Sequence, residues 1–129
     1  MPQQEIEIIL ARQLASYLAV PIFLVDPQGT LLFYNEPAES ILGRRFEESG
    51  PMSLDEWATV FEPSDESGAP LPPAELPLVT ALNQGRPAHK SFRIRGLDGG
   101  RRSIEVTSYP LVGQAGRQLG ALAVFWEED

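Results

Sequence analysis

Apolar residues recur at Ile6, Ile9, Leu10, Leu14, Tyr17 and Leu18, the i, i+3, i+4 spacing of an amphipathic helix over Glu5 to Leu18. Pro21 stops it. Ile22 to Val25 is a continuous apolar run, which predicts a short strand covered on both faces. Asp26-Pro27-Gln28-Gly29 carries turn chemistry, with Pro second and Gly fourth. Thr30 to Tyr34 then predicts the second strand of a hairpin. Asn35 suits the N-cap of a helix, because its side-chain oxygen can accept from an orphan N–H. Pro37 falls in the first turn, where it costs no hydrogen bond. Ala38, Ile41 and Leu42 share a face, and Gly43 suits the left-handed residue after the helix.

Ser53-Leu54-Asp55-Glu56 has the S-x-x-E form of a capping box, followed by Leu54, Trp57, Ala58 and Phe61 on one helical face. Residues 62–72, rich in Pro, Ser, Gly and acid, read as a surface loop. Leu76 to Gln84 predicts a third short helix, with Gly85 as its stop. From Ala88 the period switches to two. Phe92 and Ile94 alternate with Ser91, Arg93 and Arg95, and Ile104, Val106 and Ser108 alternate with Glu105, Thr107 and Tyr109. Gly96 to Gly100 and Gly113 to Gly116 are turns, and Leu119 to Trp126 is a last strand, apolar on both faces. These three strands predict an antiparallel meander.

The order is therefore helix, two strands, three short helices, three strands: an α+β chain with no internal repeat. Residues 1–19 form the N-terminal amphipathic helix and residues 20–129 a single domain. The most apolar strands are the first and last, so both faces of the sheet need a cover there. The short helices supply one cover. The N-terminal helix, a partner chain, or both supply the other.

Length and composition fit one soluble core: 129 residues, 43% hydrophobic and 22% charged. The net charge of −8 argues against a nucleic-acid binder, because phosphate neutralisation needs a basic face. With no Cys, thiolate catalysis, disulfides and Cys-based metal sites are excluded. No apolar run approaches the roughly 20 residues of a membrane span. The N-terminus lacks the basic region of a signal peptide. The expected location is the cytoplasm of a bacterial cell.

The strand–Asp26-Pro27-x-Gly29–strand unit ending in Asn35, followed by a helix with Ala38 and Glu39 that ends in Leu42-Gly43, resembles a PAS domain. Gly68-Ala69-Pro70-Leu71-Pro72 through Pro77-Leu78, Ala81-Leu82 and Gly85 is similar to the stretch before the third PAS strand. Leu97-Asp98-Gly99-Gly100 resembles the turn between the third and fourth. The resemblance runs from about Leu18 to Phe125. It implies a profilin-like five-stranded antiparallel sheet in the order 2-1-5-4-3, with short helices on one face enclosing a pocket and the N-terminal helix on the other. It also implies a non-enzymatic sensory and dimerisation module of a bacterial signal-transduction protein. Such a module forms a homodimer and acts on a downstream effector such as a histidine kinase.

Cofactor-bearing PAS domains leave residue traces. Haem-binding members commonly place a His on the helix before the third strand, and Leu76 to Gln84 has none. The only His, His89, begins the third strand and reads as an exposed strand-end residue. Members that bond flavin or coumarate use a Cys. No cofactor is therefore expected, and nothing in the sequence calls for non-covalent flavin. Scattered Asp and Glu without His or Cys make no metal site. No phosphate loop is present, since Gly96 to Gly100 lacks both a Lys and a following helix. Ser108 and Thr107 have no base placed near them by sequence, and the acids fall in turns, caps and polar faces.

The candidate pocket residues are Phe23, Val25, Phe33, Trp57, Phe61, Val79, Phe92, Ile94, Ile104, Val106 and Phe125. Asn35, Ser108 and Tyr109 are the candidate polar groups. The same apolar residues serve equally to fill a core. Ile6, Ile9, Leu10, Gln13 and Tyr17 approximate a heptad seam, a candidate dimer interface too short to pair alone. Packing of that seam within its own chain is the other reading. Two alternatives to the sensory module stand. One is a small cone-shaped enzyme of the ketosteroid-isomerase kind, which needs a carboxylate in an apolar pocket. The other is a pure protein-interaction scaffold. Phe125 to Asp129 lacks the Asp-x-Thr and signalling helix that often follow the last PAS strand, so a stand-alone protein and a segment preceding an effector both fit.

Overall fold

The computed structural model describes Ile9, Leu10, Gln13, Leu14, Tyr17 and residues 19–128. Five strands form one antiparallel sheet: β1 (Ile22–Val25), β2 (Leu31–Tyr34), β3 (Ala88–Arg95), β4 (Arg101–Val112) and β5 (Gln118–Glu127). Their order across the sheet is β2-β1-β5-β4-β3, as the resemblance to PAS domains implied. Between β2 and β3 lie α1 (Glu36–Leu42), α2 (Phe46–Ser49), α3 (Leu54–Val60) and α4 (Pro77–Gln84).

Helix α2 is the element that periodicity does not predict. It has four residues, and Phe46 is its one apolar member. Its position comes from contacts made elsewhere. The Phe46 ring stands edge-on to Phe33 and Tyr34, at 5.5 and 5.2 Å. The Phe46 N–H donates to the Glu39 carboxylate at 2.9 Å.

The inner face of the sheet and the helices enclose the main core. Phe23, Tyr34, Trp57 and Phe61 form an aromatic cluster in it, with the Phe23 and Trp57 rings edge-on at 5.2 Å. Tyr34 is fully buried, yet its hydroxyl donates to the Arg44 carbonyl at 2.8 Å and lies 2.9 Å from the Ser49 hydroxyl. Burial pushes its pKa up. On the outer face Ile22, Leu24, Leu119 and Leu122 form a second buried cluster, flanked by Leu32, Phe33, Tyr109, Leu111 and Val124. Ile9, Leu10, Gln13, Leu14 and Tyr17 are helical, and all are exposed. Their apolar stripe is thus not buried within the chain. The expectation at Ile6 lies outside the described residues.

Asn35 joins three pieces of backbone. Its Oδ1 accepts from the Ala38 N–H at 3.3 Å, capping α1, and from the Ile22 N–H at 3.0 Å, where β1 begins. Its Nδ2 donates to the Val20 carbonyl at 2.9 Å. The side chain is 1% exposed, so each bond replaces one that water cannot supply. The chain then leaves α1 through Gly43 in the left-handed conformation. A Cβ there would meet the Asp98 backbone nitrogen at 2.7 Å, because the β3–β4 hairpin folds against this corner. Two bonds from Arg102 to Asp98, at 3.2 and 3.0 Å, brace the hairpin and hold the Asp98 carboxyl down to about 2. At the other end of the sheet Gly120 has φ +136°, and a Cβ on it would run into the Val25 carbonyl of β1.

Two substitutions test this frame. Gly120→Ala combines a left-side φ with a backbone clash, and chemical denaturation should show a loss of roughly 3 kcal/mol or more. Asp is as good an N-cap as Asn but cannot donate to Val20. Asn35→Asp should therefore destabilise by about 2 kcal/mol, and Asn35→Ala by more. A neutral Asn35→Asp would reduce the residue to a helix cap.

Candidate functional site

Facing strand residues and three helices leave a cavity of about 70 Å³ above the inner sheet surface. Phe92 and Ile94 on β3, Ile104 and Val106 on β4, and Ala123 and Phe125 on β5 form its floor, with Phe23 on β1 at one side. Trp57 and Phe61 from α3 and its end, Leu42 from α1, and Pro63, Leu76, Pro77 and Leu78 complete the wall. Alternation along β3 and β4 aims these side chains inward, as their register shows: Phe92 opposes Ile104, and Val106 opposes Phe125.

The wall carries no titratable side chain. Its one side-chain N–H, the Trp57 indole, already donates to the Gly29 carbonyl at 2.8 Å. That bond holds α3 against the β1–β2 turn and fixes the ring edge that borders the cavity. Without acid, base or nucleophile in the wall, the site can take up a molecule by shape and desolvation. It offers no group to move a proton. The buried hydroxyls of Ser64 and Ser108 have no partner among the described residues, and neither lines the cavity. Among the described residues no group of three His, Cys, Asp or Glu could hold a metal ion.

Of the pocket candidates, Phe23, Trp57, Phe61, Phe92, Ile94, Ile104, Val106 and Phe125 line the cavity. Val25 and Val79 are buried in the same core but lie away from its wall, and Asn35 is the joint described above. Phe33 and Tyr109 require correction, since both belong to the outer face. A bulge between β1 and β2 is the reason for Phe33. Leu24 pairs with Phe33 but Val25 pairs with Leu31, so Leu32 is skipped and the inward residues of β2 are Leu31 and Tyr34. One extra residue inverts the phase of everything beyond it. Tyr109 is half-buried among outer-face side chains, and that burial raises its pKa.

Leu42, Pro63, Leu76, Pro77, Leu78 and Ala123 were not among the candidates. Pro63 and Leu76 sit in irregular backbone, where no period says which way a side chain points. Ala123 sits in a strand that is apolar on both faces, so alternation is silent there. His89 lies on the exposed side of β3, its Nδ1 2.7 Å from the Thr107 hydroxyl and its Nε2 3.8 Å from the Glu105 carboxylate. From there it does not reach the cavity.

Comparison with known proteins agrees with this architecture. The chain is similar to the PAS domain of nitrogen regulation protein NR(II) from Vibrio parahaemolyticus. The TM-score is 0.65 at 20% identity, covering 92% of this chain and 98% of that one. It is also similar to the LOV protein of Rhodobacter sphaeroides, with a TM-score of 0.75 at 17% identity over 97% of this chain and 69% of that one. The PAS domain of a two-component sensor histidine kinase gives a TM-score of 0.61 at 15% identity, over 98% and 100%. No curated protein matches. The family model for the PAS fold matches residues 10–126, and the chain belongs to that family.

Proposed function

We propose that this PAS domain is a non-catalytic sensory module of a bacterial signal-transduction protein, cytoplasmic and free of bound cofactor. The observation that carries the reading is the cavity: a wholly apolar wall, no ionisable group and a volume of about 70 Å³. A dry cavity of ~150 Å³ holds benzene. The space here suits an uncharged apolar molecule of a few heavy atoms, for which affinity is micromolar at best, at about 1.5 kcal/mol per atom. A haem or flavin would require the wall to open. The absence of any acid in the wall weighs against the isomerase alternative.

The sensor histidine kinase and NR(II) domains among the similar structures support an output of the same kind, a kinase or other effector. Signals in such a module pass between protomers. Exposed Ile9, Leu10, Leu14 and Tyr17 on one helical segment form an apolar strip that a second copy would cover, with Gln13 in the same seam. In the described residues no helix is long and apolar enough to cross a membrane.

Xenon is the simplest probe of the cavity. It should shift the methyl resonances of Ile94, Ile104 and Val106, and Ala123→Val, which adds two methyl groups to the floor, should abolish the shift. No shift in the wild type, or one that survives the substitution, overturns the apolar-ligand reading. A visible absorption band on the purified protein overturns the cofactor-free one.

Dimerisation is tested separately in the full chain. The double substitution Ile9→Asp with Leu10→Asp should halve the mass measured by light scattering. A wild-type monomer, or a dimer that persists, removes the helical segment from the interface.

A further inference from the structure

An edge strand presents unpaired backbone groups, which proteins either cover or blunt. Strand β3 is one edge of this sheet, and only part of it is covered. Arg93 exchanges two backbone bonds with Ser64, both 2.9 Å, and the Arg95 N–H donates to the Phe61 carbonyl at 2.7 Å. The covering segment is acidic, and its Glu62 carboxylate holds Arg95 at 3.2 Å. At Asp65 this segment turns away from the edge, because the Asp65 carboxylate accepts from the Ser67 and Ala69 N–H groups at 2.9 and 3.0 Å.

Successive residues in a strand aim their N–H and C=O groups to opposite sides. Arg93 aims outward, so Ser91 and His89 do too. Both are exposed, and no described residue outside β4 bonds to their backbone. Arg86, Lys90 and Arg93 lie on or beside this stretch and make no ion pair among the described residues, in a chain of net charge −8. Glu105, opposite Ser91 on β4, is engaged by the Ser91 hydroxyl at 3.3 Å and the Trp126 indole at 2.9 Å, with His89 Nε2 at 3.8 Å. Antiparallel pairing with a second copy would bring like charges together across the new ladder, which is unfavourable.

We propose that the open half of this edge, Ala88 to Ser91, accepts an acidic extended segment of a partner protein as an additional strand. The backbones of His89 and Ser91 supply the main-chain bonds. Arg86, Lys90 and Arg93 select for acid, continuing the arrangement that the Glu62–Asp65 segment makes next to it.

The test uses the full chain, NMR and a capped heptapeptide of alternating Glu and Val. The peptide should shift the His89 and Ser91 amide resonances and slow their hydrogen exchange by at least about tenfold. The Lys-for-Glu peptide should bind at least about tenfold more weakly. Ser91→Pro should abolish binding without unfolding the domain, since the N–H it removes lies outside the ladder. Lys90→Glu, which leaves the backbone intact, should weaken it. Unchanged amides at His89 and Ser91, equal response to the two peptides, or binding that survives Ser91→Pro overturns the proposal. So does a dimer that Ser91→Pro dissolves, which would assign the edge to a second copy.

Discussion

One buried carboxamide holds the corner on which the rest of the molecule is built. Asn35 ends β2, caps α1 and bonds both the N–H of Ile22 and the carbonyl of Val20. Where β2 stops pairing, its side chain stands in for backbone. The first hairpin, the first helix and the entry of the chain into the sheet therefore share one set of bonds. With the corner held, α1 delivers Gly43 against the β3–β4 hairpin, and two strand pairs far apart in sequence meet.

The cavity follows from that frame. Strands β3, β4 and β5 carry the floor beneath α3 and α4, and the rings of Phe23, Trp57 and Phe61 stand at its side. Phe23 meets three other rings, at 5.2 to 6.4 Å, which leaves little freedom for any of them to move alone. The residual volume is bordered on the floor by Ala123 among larger side chains. A wall with no ionisable group restricts the site to recognition by size and apolarity.

Charge is distributed against the net balance. The chain carries an excess of acid, yet Lys90 and Arg93 on β3 and Arg86 beside it make no ion pair among the described residues. Its own acidic loop already lies against one half of that strand through paired backbone and the Arg95–Glu62 contact. The two faces of the sheet also differ. The inner face is closed by helices, while the outer face grades from an apolar half over β1 and β5 to the polar strip of His89, Ser91 and Glu105.

The order of elements, the caps at Asn35 and Ser53, the turns and the inward phase of β3 and β4 were all legible from residue types. Each depends on interactions within a few residues, and one strand face being apolar is enough to set its phase. Helix α2 was not legible, because its one anchor, Phe46, is held by rings from β2. Nor was the outward turn of Phe33, because the bulge that inverts it exists only in the pairing of β1 with β2. Parts of the cavity wall, Pro63, Leu76 and Ala123, were silent for a related reason: irregular backbone and a strand apolar on both faces carry no period. Residue patterns alone determined the five strands and the three longer helices between β2 and β3, and the family resemblance supplied the order in which the strands pair. Register, bulge and the packing of rings across layers decided which apolar residues face an open space, since those distances belong to pairs of elements and to neither one by itself.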